Sequence, residues 1–200
     1  MNNLSVRLLT LFGIAGLLCT TATAAEPLSV AADFEGASVR VLAIDQVARR
    51  IDCMPGGDPA RGWPCWWYFR IDGITPGEAI TVRLRGSTAT VAKPDAAPAK
   101  PLSSVWAMPT QATYSLDGRS WLHTDKGTKQ DEWMVYTLKP SAASAFIAWG
   151  PPYTPTTAAR FVEAMAKSSP HVQAVELCRS RENRVVPMLH VREGDRTPQQ

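Results

Sequence analysis

The chain has 200 residues, 45% of them hydrophobic and 20% charged, which excludes a disordered tail or a fibrous repeat and leaves an ordinary globular protein of one or two domains. Lys and Arg number 21 against 18 Asp and Glu, a net charge of +3 that gives no sign of a nucleic-acid partner. Sixteen Pro and 13 Gly predict many turns, and seven Trp supply large rings for a core or a binding face.

Residues 1–25 read as a secretory signal peptide rather than as part of the fold. Arg7 gives a positive start, Leu8 to Thr20 is apolar, and Ala22-Thr23-Ala24 offers small residues for cleavage. A spanning helix needs about 20 apolar residues, more than this run has, so the protein is expected not to span a membrane. The sequence therefore predicts export, to the periplasm or as a secreted protein. Cys19 leaves with the leader, and Cys53, Cys65 and Cys178 remain. In an oxidising compartment Cys53 and Cys65 are candidates for a bridge across the turn-rich stretch between them; the alternative is that all three are small buried hydrophobes. No cysteine spacing matches a structural zinc site.

Residues 26–150 read as short strands between turns, which predicts a β-sandwich. Ser38 to Asp45 begins with period-two alternation. Trp66-Trp67-Tyr68-Phe69-Arg70-Ile71 is aromatic on both alternating faces, as in a central strand covered on both sides. In Ala79 to Arg85, Ile80, Val82 and Leu84 alternate with Thr81, Arg83 and Arg85, a half-buried strand. Val91 to Leu102 is rich in Pro and Ala without an apolar period, and is expected to be an exposed, mobile loop. Thr113 to His123 carries Asp117-Gly118 between two short strands, a hairpin. Glu132 to Leu138 and Ala145 to Gly150 supply two more strands.

The texture changes at Gly150-Pro151-Pro152-Tyr153-Thr154-Pro155. Thr156 to Ser169 is a predicted helix with Thr156 or Thr157 as its cap, Ala158, Phe161 and Met165 on one face, and Pro170 forbidding continuation. Val172 to Leu177 and Val185 to Val191 follow as strands around the polar turn Arg179 to Arg184. The fold expected is mainly β: an N-terminal β-sandwich over 26–150, then a helix and strand hairpin over 151–200 that begin an incomplete α/β domain.

Nucleophile and phosphate-loop signatures are absent from the sequence. His190-Val191-Arg192-Glu193 has the His-x-x-Glu spacing of a zinc half-site, but a catalytic zinc needs three protein ligands, and only His123 and His171 remain to complete it.

Ala148-Trp149-Gly150-Pro151-Pro152-Tyr153-Thr154, the helix after it, and Leu177 to Leu189 resemble the junction in zinc metallocarboxypeptidases of the carboxypeptidase A-like class. Asp33 to Val39 and Trp66 to Ile71 look like the first strands and the aromatic strand of the sandwich that precedes the catalytic domain in the cytosolic-carboxypeptidase-like branch. Where that family has Ser-x-x-Gly-Arg at the turn, this chain has Ser180 followed by Asn183-Arg184, and Asn best replaces Gly where φ is positive.

The resemblance implies an enzyme that uses zinc to release C-terminal residues from a peptide or protein substrate. It also implies that the family's zinc-binding His-x-x-Glu follows the strand after Ser180 and Arg184, with a further His, a Glu base and a carboxylate-holding Arg later still. His190-x-x-Glu193 falls one element too early. No catalytic, cofactor-binding or metal residue is therefore assigned, and the chain alone is expected to bind no zinc and to be inactive. An alternative reading is a stand-alone binding module for carbohydrate or peptide, with Trp63, Trp66, Trp121 and Trp133 as an aromatic face.

Overall fold

The computed structural model describes residues 26–57, 64–88, 90–91, 100–101 and 104–192. The predicted leader, Trp63, Glu193 and the interior of the Pro/Ala-rich stretch lie outside the described residues. In chain order the strands are β1 (Ser29–Ala31), β2 (Arg40–Asp45), β3 (Arg50–Met54), β4 (Tyr68–Asp72), β5 (Ile80–Arg85), β6 (Thr90–Val91) and β7 (Lys100–Pro101). After a short 3-10 turn at Ser104–Ala107 come β8 (Thr113–Ser115), β9 (Leu122–His123), β10 (Thr128–Gln130), β11 (Trp133–Leu138) and β12 (Ser144–Ala148). Helix α1 (Pro155–Ser168) and the strands β13 (Val172–Arg179) and β14 (Val185–Val191) complete the described chain.

Two five-stranded sheets form a sandwich, one in the order β1-β4-β12-β8-β9 and the other β10-β11-β5-β3-β2. Alternation decides burial on β5 most cleanly, whereas β3 buries Ile51 to Met54 in a row. On β5, Ile80, Val82 and Leu84 are fully buried while Thr81, Arg83 and Arg85 face out. Phe69 and Ile71 of β4, Ile51 and Cys53 of β3, Tyr136 of β11 and Ile147 of β12 meet them in one core. Trp67, just before β4, is fully buried there and donates its indole N–H to the Ala107 carbonyl at 2.8 Å. Pairing is antiparallel except between β3 and β5, which run parallel.

The predicted strands form, with the central β4 flanked by β1 and β12, but β2 begins only at Arg40 and exposes its first four residues without alternation, and the aromatic strand begins only at Tyr68. Strands β1, β3 and β10 were not anticipated. The first and last have only three residues each, too few for a period, and β3 carries buried Asp52 amid its apolar residues. The Val91 to Leu102 stretch is not loop throughout, because its ends pair as the β6-β7 ladder. Cys53, Cys65 and Cys178 are all unpaired. Cys53 packs in the core between the sheets, but the alternative of three buried cysteines fails for the other two, since Cys65 is half-buried and Cys178 exposed.

Helix α1 starts one residue earlier than the composition indicates, and its cap is Thr154 rather than Thr156 or Thr157. Pro155 occupies the first helical position, where it lacks only an N–H that would be unpaired anyway, so the cap must precede it. The face turned to the β13-β14 hairpin runs through half-buried Ala158, buried Val162 and half-buried Met165. Phe161 lies off that face and is 49% exposed. At the hairpin turn Asn183 has φ +59°, the left-handed conformation for which Asn substitutes for Gly. No described helix is long and apolar enough to cross a membrane.

Candidate functional site

A cleft of about 450 Å³ lies between α1 and the β13-β14 turn, lined by Pro155, Ala158, Val185, Val186 and Pro187 and, at the turn, by Ser180, Arg181, Glu182 and Arg184. It belongs to the half-covered hairpin, where Leu177, Val185, Met188 and Val191 are exposed, and two of its polar groups, Glu182 and Arg184, are paired with each other.

The richer site is a second cleft, of about 510 Å³, where the outer face of the first sheet meets the start of α1. Its floor is aromatic. Alternation that sends Phe69 into the core turns Tyr68 and Arg70 outward, and Phe146 pairs beside Arg70 from β12. The turn at Asp33 to Gly36 then drops Phe34 onto both rings, edge to face, with centroids 5.0 Å from Tyr68 and 5.7 Å from Phe146. Two hydrogen bonds between Ser38 and Tyr68, at 2.8 and 3.0 Å, hold this turn against β4. Gly36 has φ +81°, and a Cβ there would lie 3.1 Å from the Thr154 methyl group, so the close approach of turn to helix requires glycine. Trp66 and Trp121 pack around Tyr68 at 6.3 and 5.6 Å, which extends the ring cluster.

The walls are charged. The Glu35 carboxylate accepts from the Thr156 N–H at 3.3 Å across 121 residues of sequence, so a sandwich side chain caps the helix N-terminus. Hydrogen bonding to Thr154, then to Thr156, holds its pKa below the usual carboxylate value. The Thr157 N–H goes to the Thr154 hydroxyl at 3.2 Å and the Ala158 N–H to the Thr154 carbonyl at 2.9 Å. With Pro155 lacking a donor, the first turn of α1 has no free N–H left. Arg70 is paired with Asp72 at 2.9 Å. Asp33 and Arg160 also line the cleft, and among the described residues neither side chain makes an ion pair or a hydrogen bond.

Asp117 fixes the opposite rim. Its carboxylate accepts from the backbone N–H groups of Ser120 at 2.7 Å and Arg119 at 2.8 Å, and from the Ser115 hydroxyl at 3.0 Å. These bonds hold its pKa down to about 2, and they set Gly118, at φ +69°, against the ring of Phe146.

The structure separates the residues of the sequence-based candidates. His190 lies on β14 opposite Gln173, in the strand that the sequence assigned it, while Glu193 is outside the described residues. His123 is on edge strand β9 of the sandwich, in a different sheet. No group of three or more His, Cys, Asp or Glu side chains arranged to hold a metal occurs among the described residues, so the side chains present do not fit a zinc ion. The proposed aromatic face also divides. Trp66 and Trp121 join the Tyr68 cluster, whereas Trp133 lies on the outer face of the other sheet, 4.7 and 5.2 Å from the Arg83 and Arg85 guanidinium groups. Alternation on β11, which buries Tyr136, forces Trp133 to that side. The sequence reading missed Glu35, Phe146 and Arg160 as partners, since each carries only an ordinary local pattern.

Comparison with known proteins places this geometry. The sequence model of the cytosolic carboxypeptidase N-terminal domain matches residues 30–149, 60% of the chain. Among solved structures, the chain is similar to a metallo-carboxypeptidase from Burkholderia cenocepacia, with 23% identity and a TM-score of 0.64, over 84% of this chain and 40% of that one. It is also similar to a metallo-carboxypeptidase from Pseudomonas aeruginosa in complex with (2-guanidinoethylmercapto)succinic acid, with 22% identity and a TM-score of 0.60, over 84% and 41%. At these identities the structures establish the fold alone. The chain spans about 40% of the length of the structures it matches. No curated sequence matches it. On the match across its sandwich, this chain belongs to the cytosolic carboxypeptidase N-terminal domain family.

Proposed function

We propose that this chain is the N-terminal portion of an exported zinc metallocarboxypeptidase, with residues 26–150 as the sandwich and 151–200 as the start of the catalytic α/β domain. The observation that carries this is the reach of the structural match: 84% of the chain aligns, well beyond the matched sandwich at 30–149. That reach supports counting residues beyond the sandwich in the likeness. In a complete enzyme of this kind, metal-activated water would cleave the last peptide bond of a peptide or protein. No step of that reaction is assigned to a residue here, because the described side chains do not fit the metal.

The sandwich would act as a rigid support, its Glu35 fixing the N-terminus of α1 and so the direction in which the second unit starts. The test is zinc content and release of C-terminal residues from a peptide by the purified chain. Less than one zinc per chain and no release are expected; tightly bound zinc lost in His190→Ala would overturn the assignment. Export is tested by sequencing the N-terminus of protein recovered outside the cytoplasm. A start near Glu26 is expected, and an intact Met1 on cytoplasmic protein would refute it.

A further inference from the structure

The cleft between the first sheet and α1 has a composition that neither packing nor the carboxypeptidase reading accounts for. Its floor is three rings: Phe34 stands at 77° to Tyr68 and 87° to Phe146, Tyr68 is almost wholly covered by its neighbours, and Phe34 and Phe146 keep part of their surface open to the cleft. Four charged side chains line it, and two of them are already spent: Glu35 on the helix N-terminus and Arg70 on Asp72. The remaining two, Asp33 and Arg160, have opposite sign and no partner among the described residues.

The helix N-terminus would otherwise attract an anion, but Glu35 and Thr154 occupy its donors. A ligand carboxylate entering this cleft therefore has one unengaged cation to meet, Arg160. A ligand ammonium has one unengaged carboxylate, Asp33, along with the negative ring faces of the floor. A uniformly charged ligand would meet only one of the two, and a neutral sugar would meet neither charge with its own.

We propose that this cleft binds a free α-amino acid with an apolar or aromatic side chain. Arg160 takes the α-carboxylate, Asp33 takes the α-ammonium, and the side chain lies on Phe34 and Phe146, which Tyr68 backs from beneath. Binding follows from the charge pattern and the rings alone. Such a molecule would also be a product of the carboxypeptidase reaction; that link rests on the function proposed above, and its failure would leave the site standing.

The test is titration of the full chain with L-phenylalanine, followed by the fluorescence of Trp66 and Trp121 beside Tyr68 and by calorimetry, neither of which needs enzymatic activity. Two analogues separate the charges: 3-phenylpropanoate lacks the ammonium and phenethylamine lacks the carboxylate. The expected result is saturable binding of phenylalanine with a Kd of about 1 mM or tighter, and about tenfold weaker binding of each analogue. Arg160→Gln should weaken phenylalanine about tenfold and leave phenethylamine unchanged, while Asp33→Asn should weaken it similarly and leave 3-phenylpropanoate unchanged. Arg160→Lys, which keeps the charge, should recover part of the loss. Both side chains are exposed, so circular dichroism is expected to be unchanged in every variant. Absence of saturation, equal binding of all three ligands with the variants without effect, or tighter binding of a disaccharide than of phenylalanine would each overturn the proposal.

Discussion

Replacing Trp67 by Phe tests the phase of the aromatic strand, on which the whole cleft depends. Trp67 is fully buried, packs on Phe69 and Tyr136 with centroids at 6.3 and 5.9 Å, and donates to the Ala107 carbonyl at 2.8 Å. The substitution removes that hydrogen bond and strands a buried acceptor, at about 1 kcal/mol. It also deletes part of a fully buried apolar ring and leaves a small cavity, together costing about 1–2 kcal/mol. The expected loss is about 2–3 kcal/mol, or a fall in Tm of about 5–10 °C for a protein of this size. Trp66→Phe is the control: its indole N–H reaches the Gly36 carbonyl at 2.8 Å on the solvent side, so its loss should stay near 1 kcal/mol or below. Thermal and denaturant unfolding of both variants gives the comparison. A one-residue shift of the strand would exchange the two faces. If Trp66→Phe costs as much as Trp67→Phe, the phase is wrong, and Tyr68 and Arg70 do not form the cleft floor.

Asp52 is buried and paired with Arg83 at 2.7 Å through the guanidinium Nε, and with Arg50 at 3.2 Å; the Arg83 hydrogen bond, ahead of the other charges, lowers its pKa. A lowered carboxyl pKa stabilises the fold in full above the unfolded value of about 4 and loses that contribution progressively as pH falls toward the lower folded value, so Asp52→Asn should cost about 1–2 kcal/mol at pH 7 and less at pH 3. An equal cost at both pH values in urea unfolding would disprove the pairing. Burial, then the neighbouring Asp52 carboxylate, raises the Cys53 thiol pKa, while Cys178 is exposed. Iodoacetamide should therefore label Cys178 first and Cys53 only on unfolding, and a mass showing a Cys53 to Cys65 bridge would contradict the structure. The exposed Phe161, Leu177, Val185 and Val191 leave the helix and hairpin with an uncovered apolar surface. Amide hydrogens of β13 and β14 should exchange faster than those of β4 and β5, and equal protection in a monomer would refute this.

The sandwich was readable because its information is local. In β5 every second side chain is apolar and fully buried, and in the hairpin of β8 and β9 Asp117-Gly118 marks the turn that forms. Period and turn chemistry act over a few residues, so one strand is enough to reveal them. The family was legible for a related reason: its junction and strands are runs of adjacent residues. Where several local choices were allowed, the reading failed. Thr154, Thr156 and Thr157 can all cap a helix, and the neighbouring Pro155 decided among them. Phe161 and Val162 differ by one position on α1, and only the packed hairpin determines which of them is covered.

The candidate site is the extreme case. Asp33, Phe34 and Glu35 come from a turn before β2, Tyr68 and Arg70 from β4, Phe146 from β12 and Arg160 from α1. No spacing in the chain relates them, and the Glu35 to Thr156 contact spans 121 residues. Sequence alone determined which faces of the strands are apolar and where the chain turns. The tertiary structure decided which outward-facing side chains meet, because pairing β4 with β12 and docking α1 against the first turn are settled by the burial of the whole core rather than by any segment of it.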